Sequence, residues 1–312
     1  MTKITLLGPQ RHSITVTEEI ERLNLHGRIG AITAGWQERE AEDDELQEAI
    51  GHRAVNLLLH HRAERMFHED AELFRAHRAR QDILRQMQDL YRVRLDAYLG
   101  AAQALHHRGG PEDLLAPECD GAVETLRELD RHHLERIHQV HARFDAEMKP
   151  SSRWSVCKQR DEIAETLGDC PIVAIAGGNV ATLLTRIRLL GVDTLLHGKA
   201  IVAWSAGAMV LTDRVVLFHD RPPEGPGNAE VLDAGLGLLP HVVALPHATK
   251  RLRMDDTQRM ALFARRFSPS MCLALDPFSR ARWDGHNWQL HEGTWVLGRN
   301  GQLGAAEIPL VP

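Results

Sequence analysis

Short apolar runs separated by amphipathic stretches open this chain. Residues 4–8 read as a buried strand, 17–25 as a helix, 28–34 as a strand, 43–50 as a helix and 54–60 as a third strand. That alternation is typical of crossover units, in which helices cover both faces of a parallel sheet. The rhythm then changes. Between residues 71 and 105 apolar side chains recur at Leu73, Ala76, Ile83, Met87, Leu90, Tyr98 and Leu105, a spacing of about 3.5 that predicts one long amphipathic helix. Val123, Leu126, His133, Ile137, Val140, Phe144 and Met148 repeat it, with Gly109-Gly110-Pro111 as the break between the two. An inserted long helical hairpin is the expectation. Its stripes can pack on each other, on the parent domain, or on a second subunit as a homodimer through the hairpin.

After Pro150-Ser151-Ser152 the first rhythm returns. Helices are predicted over 161–167, 180–190 and 256–267, and strands over 172–176, 199–203, 215–218, 242–245 and 271–275. Trp283, Trp288 and Trp295, set among Gly and Asn, mark short antiparallel strands at the end. The predicted organisation is therefore an α/β domain in two parts, 1–67 and 151–312, with the hairpin at 68–150 between them.

Composition narrows the function classes. With 312 residues and 43% hydrophobic content the chain can build a sizeable core, and its net charge of -6 gives no reason to expect nucleic acid or an anionic membrane as partner. No run approaches the roughly 18 apolar residues of a membrane span, and the stretch 4–7 is too brief for a secretion signal. A cytoplasmic location is expected. Cys119, Cys157, Cys170 and Cys272 lack metal-ligand spacing. Glu135 and His138 have Glu-x-x-His spacing with His141 one turn further, yet the first long helix offers no matching half, so no metal is expected.

The candidate chemistry centres on Ala203-Trp204-Ser205-Ala206-Gly207, between a predicted strand and a predicted helix at 206–211. A serine on such a tight turn has its hydroxyl pushed out of the sheet, with small neighbours to avoid collisions, as in a nucleophile elbow. Strand 172–176 runs into Gly177-Gly178-Asn179 and then a helix, placing glycine N–H groups where an anion can be cradled. With the N–H of Ala206 these form a candidate oxyanion hole. His247 follows the carboxyl end of strand 242–245 and is the candidate base; His241 precedes that strand and lies at its other end.

Gly177-Gly178-Asn179, Trp204-Ser205-Ala206-Gly207-Ala208, Gly235-Leu236-Gly237-Leu238 and Pro246-His247, in this order, resemble the S51 serine peptidases. These include dipeptidase E and cyanophycinase, within the class I glutamine amidotransferase-like superfamily. The resemblance covers residues 171–284 well and 4–60 loosely, and leaves the hairpin outside. It implies a flavodoxin-like, doubly wound, mainly parallel sheet, a serine nucleophile, a histidine base and no metal or cofactor. It also implies hydrolysis of a small peptide or amide, aspartyl or β-aspartyl, through an acyl-enzyme. Relatives that deaminate glutamine carry cysteine at the elbow, so Ser205 argues against that activity.

In the dipeptidase branch the triad acid lies a little downstream of the serine. Asp220, which follows strand 215–218, is the first candidate, with Asp213 and Glu224 as rivals. Candidate substrate-binding residues are Asn179, Trp36 and Gln37 after the second strand, and Lys250 and Arg251, whose charges suit a substrate carboxylate. Ala248-Thr249-Lys250-Arg251 departs from the family pattern after the histidine, and Pro277 stands where many relatives carry glutamate. Those departures support a second reading, a non-catalytic binding or assembly protein that uses the hairpin as its interaction surface.

Overall fold

In the computed structural model, which describes residues 2–220 and 227–305, the opening alternation is β1 (Ile4–Leu7), α1 (Val16–Leu23), β2 (Ile29–Ile32), α2 (Asp44–Ala49), β3 (Ala54–Asn56) and α3 (Leu59–Glu69). Two long helices follow, α4 (Ala71–His106) and α5 (Glu112–Met148). Then come α6 (Trp154–Gly168), β4 (Ile172–Ile175), α7 (Val180–Leu189), β5 (Ala200–Trp204), the short α8 (Ala206–Val210), β6 (Arg214–Leu217) and β7 (Glu230–Ala234). The chain continues through β8 (Val242–Pro246), α9 (Ala248–Arg251), α10 (Thr257–Phe267), β9 (Met271–Leu275) and four short strands, β10 (Arg280–Trp283), β11 (Trp288–Leu290), β12 (Trp295–Leu297) and β13 (Leu303–Gly304).

The main sheet has the order β11-β10-β1-β5-β4-β2-β3. Strands β1, β5, β4, β2 and β3 are mutually parallel, and β10 and β11 add an antiparallel edge. Both faces are buried, and successive residues serve opposite sides: Ile201 and Ala203 enter one core, while Val202 and Trp204 enter the other. This is why the strands read as unbroken apolar runs. Each fully buried Ile, Val or Leu on them stabilises the fold by roughly 1.5–3 kcal/mol.

The sequence reading differs from the structure at three places. The third strand ends at Asn56, and residues 59–60 open a helix instead. Leu58 takes a left-handed conformation there (φ 51°), and Leu59, Ala63 and Met66 line the helix's buried side. The run thus fused a strand end with a helix start. Strand β7 was not anticipated; it pairs antiparallel with β6 as a separate ribbon. Strand β8, which leads to His247, pairs in parallel with β9 in a second sheet of order β13-β12-β9-β8. Helix α8 packs against β5 and also against β8 and so spans the two sheets.

The long helices start and stop for local reasons. Asp70 caps α4 by accepting from the Leu73 N–H at 3.0 Å, and Arg153 and Ser155 hold the same carboxylate. These contacts hold the Asp70 carboxyl down at about 2, with the Arg153 hydrogen bonds as the main cause. Helices α4 and α5 bury Leu95, Leu99, Val123 and Leu126 in the same core as β4 and β5. Between them and the rest lies a polar seam. The guanidinium of Arg266 on α10 meets both oxygens of Asp130 on α5 at 2.7 Å, and donates to Tyr91 Oη on α4 and to the Ala229 carbonyl. Tyr91 Oη donates to Asp130 and accepts the Val231 N–H of β7.

Candidate functional site

Ser205 sits between β5 and α8 with φ 52° and ψ -121°, a conformation that costs a non-glycine residue of order 1–3 kcal/mol. Its carbonyl nevertheless accepts the N–H groups of Ala208 and Met209, fixing the start of α8. The loop after β4 closes in from the neighbouring strand. A Cβ on Gly177 would lie 2.8 Å from Ser205 Cβ, so only glycine lets the two segments approach this closely. Gly178 has φ +117°, and a Cβ there would fall 2.4 Å from the Gly35 carbonyl oxygen. Among the described residues no backbone carbonyl accepts the N–H of Gly177, Gly178 or Ala206. Gly177 thus adjoins Ser205 and the Ala206 N–H, and Gly178 follows it against Gly35.

The other sequence-derived candidates separate into those near this loop and those elsewhere. Asn179 caps α7, its Oδ1 accepting the Thr182 N–H at 2.9 Å, while its own N–H goes to Gly35. Gln37, strained at φ 58° and ψ -124°, donates to Thr182 Oγ1 at 3.2 Å, and Trp36 beside it packs on the α1 and α2 side of the sheet. These residues brace the loop that carries Gly177 and Gly178.

His247 follows β8 in a left-handed conformation (φ 58°) as the residue before α9, its N–H bonded to the Leu275 carbonyl at 3.0 Å. The ring is half-buried and makes no side-chain hydrogen bond among the described residues. Burial lowers its pKa, with Arg251 and Lys250 acting in the same direction; the Asp276 carboxylate opposes them. His241 lies before β8, at the strand's far end.

Asp220 is buried, and its oxygens meet Arg259 Nη2 at 2.6 Å and the Arg253 N–H at 3.2 Å, while its own N–H bonds the Arg251 carbonyl. It anchors the end of α9 remote from His247. Asp213 pairs with Arg214 at 3.3 Å, and Glu224 lies outside the described residues. Asp276, a residue the sequence reading passed over, follows β9, the strand paired with β8. Its carboxylate accepts from Thr249 N–H and Oγ1, two residues past His247. An aspartate at a strand's carboxyl end was the available signal, but the β8–β9 pairing that gives it meaning is long-range.

Lys250 is exposed. Arg251 is partly buried, burial lowers its pKa, and its guanidinium has no carboxylate partner among the described residues. The helical histidines are otherwise engaged: Glu135 pairs with Arg131 and His141 with Asp233 at 2.8 Å. No helix among the described residues is long and apolar enough to cross a membrane.

Comparison with known proteins bears on this region directly. Residues 126–276, just under half of the chain, match the family model of peptidase family S51. No curated protein matches the chain. Among solved structures it is similar to a peptidase from an acI-B1 Actinobacterium, with 12% identity, 96% of this chain and 91% of that one covered, and a TM-score of 0.47. It is also similar to a putative peptidase E protein from Listeria monocytogenes EGD-e, with 12% identity, coverage of 93% and 98%, and a TM-score of 0.45. The matched segment runs through the Gly177 loop, Ser205, His247 and Asp276, and in that segment the chain is similar to the serine-type peptidases of family S51.

Proposed function

We propose that the chain hydrolyses a small peptide or amide by nucleophilic attack of Ser205. The observation that carries this reading is the strained Ser205 backbone with Gly177 pressed against it. Strain held at a serine beside unpaired N–H groups serves catalysis better than stability. In the proposed reaction His247 takes the Ser205 proton as Oγ attacks the carbonyl carbon. The N–H groups of Gly178 and Ala206, with Gly177 adjoining, stabilise the oxyanion. His247 then protonates the leaving amine, and water, deprotonated by the same ring, releases the acyl group. We assign the acid's role to Asp276, the carboxylate whose charge favours protonated His247, and to Asp220 the positioning of the α9 end that carries Arg251. The lowered pKa of His247 suits a base that must be neutral to start.

Substrate preference follows from Arg251. A partly buried cation near the candidate base, without an acidic partner among the described residues, suits a substrate carboxylate, in keeping with an aspartyl or β-aspartyl group. We read the main sheet as the flavodoxin-like, doubly wound sheet of the amidotransferase-like superfamily, made from residues 1–67 and 151–312 with the helices of 68–150 inserted. Four free cysteines fit a reducing compartment such as the cytoplasm.

The test is turnover of aspartyl dipeptides, β-aspartyl-arginine and aspartyl anilides by wild type and Ser205→Ala, with labelling by a serine-reactive phosphonate. Turnover and stoichiometric labelling that both vanish in Ser205→Ala are expected. A folded wild type that neither turns over the panel nor takes the label would sink the hydrolase reading and favour a binding protein.

A further inference from the structure

Helix α4 has two apolar faces. One, with Leu73, Tyr91, Leu95 and Leu99, is buried in the core. The other is turned away from the molecule and carries Ala79, Ile83, Gln86, Leu90, Val93 and Ala97 at alternating intervals of four and three residues. Ile83, Leu90 and Val93 are 46%, 64% and 70% exposed. A strict alternation of this kind is the seam of a helix that packs on another helix. The outer face of α5 is different: it carries ion pairs such as Glu124–Arg127, Arg131–Glu135 and Arg143–Glu147, as a solvated face does.

The charges beside the α4 seam identify its occupant. Arg78, Asp82, Arg85, Asp89, Arg92 and Asp96 alternate in sign at the same intervals. Such a series is its own complement only when reversed. With two copies antiparallel about a two-fold axis near residues 87 and 88, Arg78 of one copy meets Asp96 of the other, Asp82 meets Arg92, and Arg85 meets Asp89. In the seam Ile83 then faces Val93, Leu90 faces Gln86, and Ala79 faces Ala97. A parallel pairing would put the two charged flanks on opposite sides of the pair, where they do not meet. Within one copy these groups already form exposed pairs, Asp82 with Arg85 and Asp89 with Arg92, and Arg92 and Asp96 also reach Glu230 and Asn228. Their half-exposed state leaves them free to be shared.

We propose that this face of α4 is a self-association surface joining two copies of the chain through an antiparallel α4 pair. One helix crossing is at the small end of interfaces, below about 1,200 Å² in total, so the dimer is expected to be reversible at micromolar concentration. The inference does not rest on the hydrolase reading, and its test needs no activity.

Sedimentation of the full chain from about 1 to about 200 μM should show a monomer–dimer equilibrium. Leu90→Glu and Val93→Glu should abolish it without change in circular dichroism or Tm. Arg85→Asp should weaken dimerisation about tenfold, and Arg85→Asp combined with Asp89→Arg should restore it. Wild type that stays monomeric throughout would overturn the proposal and leave the face to a different protein. A dimer indifferent to Leu90→Glu, or a charge swap without rescue, would overturn it as well.

Discussion

The sheet edge around Ser205 and the seam beneath the helix pair are both rich in polar groups, and they treat them in opposite ways. In the seam Asp130 and Arg266 are each 2% exposed, and their charged atoms are satisfied by one another, by Tyr91 and by a carbonyl. At the sheet edge Ser205 and His247 have left-handed backbones and, among the described residues, the Gly177, Gly178 and Ala206 N–H groups lack backbone acceptors and Arg251 lacks an acid. A buried polar group left unpaired costs stability, so the saturated seam holds the two long helices in place. The unsaturated edge leaves its groups available, as the proposed hydrolysis requires. Backbone strain at Ser205 and His247 adds to that contrast.

That contrast predicts mutations that separate activity from stability. Ser205→Ala should lower turnover by about 10⁴-fold or more with Tm unchanged; unfolding of this variant would erase the distinction. Asp130→Ala should do the reverse, destabilising by about 3–5 kcal/mol because Arg266 is left as an uncompensated buried charge, as measured by urea unfolding. Residual folded protein should keep normal turnover per active site. Gly177→Ala should cost about 10²-fold in kcat because its Cβ collides with Ser205; wild-type kinetics there would argue against the loop's role.

Two smaller effects sharpen the comparison through pH. His77 and His133 lie within the helical region, and burial lowers their pKa values to about 3 and about 4. Both are neutral in the fold and protonate near pH ~6.5 when unfolded, so they leave stability unchanged above that pH. Below it the unfolded state binds more protons, and stability should fall by about 1.4 kcal/mol per pH unit per histidine. Replacing His77 by Phe should flatten that slope in thermal melts. At the sheet edge the acid limb of kcat/KM should report His247 and lie below the ordinary histidine range. Arg251→Gln removes a charge that disfavours the protonated ring, so the limb should move to higher pH; a limb that stays in place would separate Arg251 from His247.

Legibility followed the range of the interactions. Ser205, the Gly177 loop and His247 stand out because a strand, a tight turn and a helix start are encoded by neighbouring residues. The helices at α4 and α5 stand out because their seams repeat over more than thirty residues each. The third strand was misread because Leu59 and His60 are as apolar or as buried in a helix as they would be in a strand, and only the left-handed Leu58 marks the change. Asp276 was passed over because the pairing of β9 with β8 that brings it against Thr249 is long-range. The seam was invisible, since Tyr91, Asp130 and Arg266 come from three separate helices.

What the sequence determined by itself was local: which segments are strands and which are amphipathic helices, and where a serine can stand on a sharp turn. Tertiary structure alone decided that the strand leading to His247 lies in a second sheet joined to β5 through α8, that Asp220 belongs to Arg259 and Arg253, and that Asp276 meets Thr249, two residues past His247. The physical reason is that burial and turn geometry depend on residues a few positions apart. The partner of a charge depends on which distant strands and helices finally pack together.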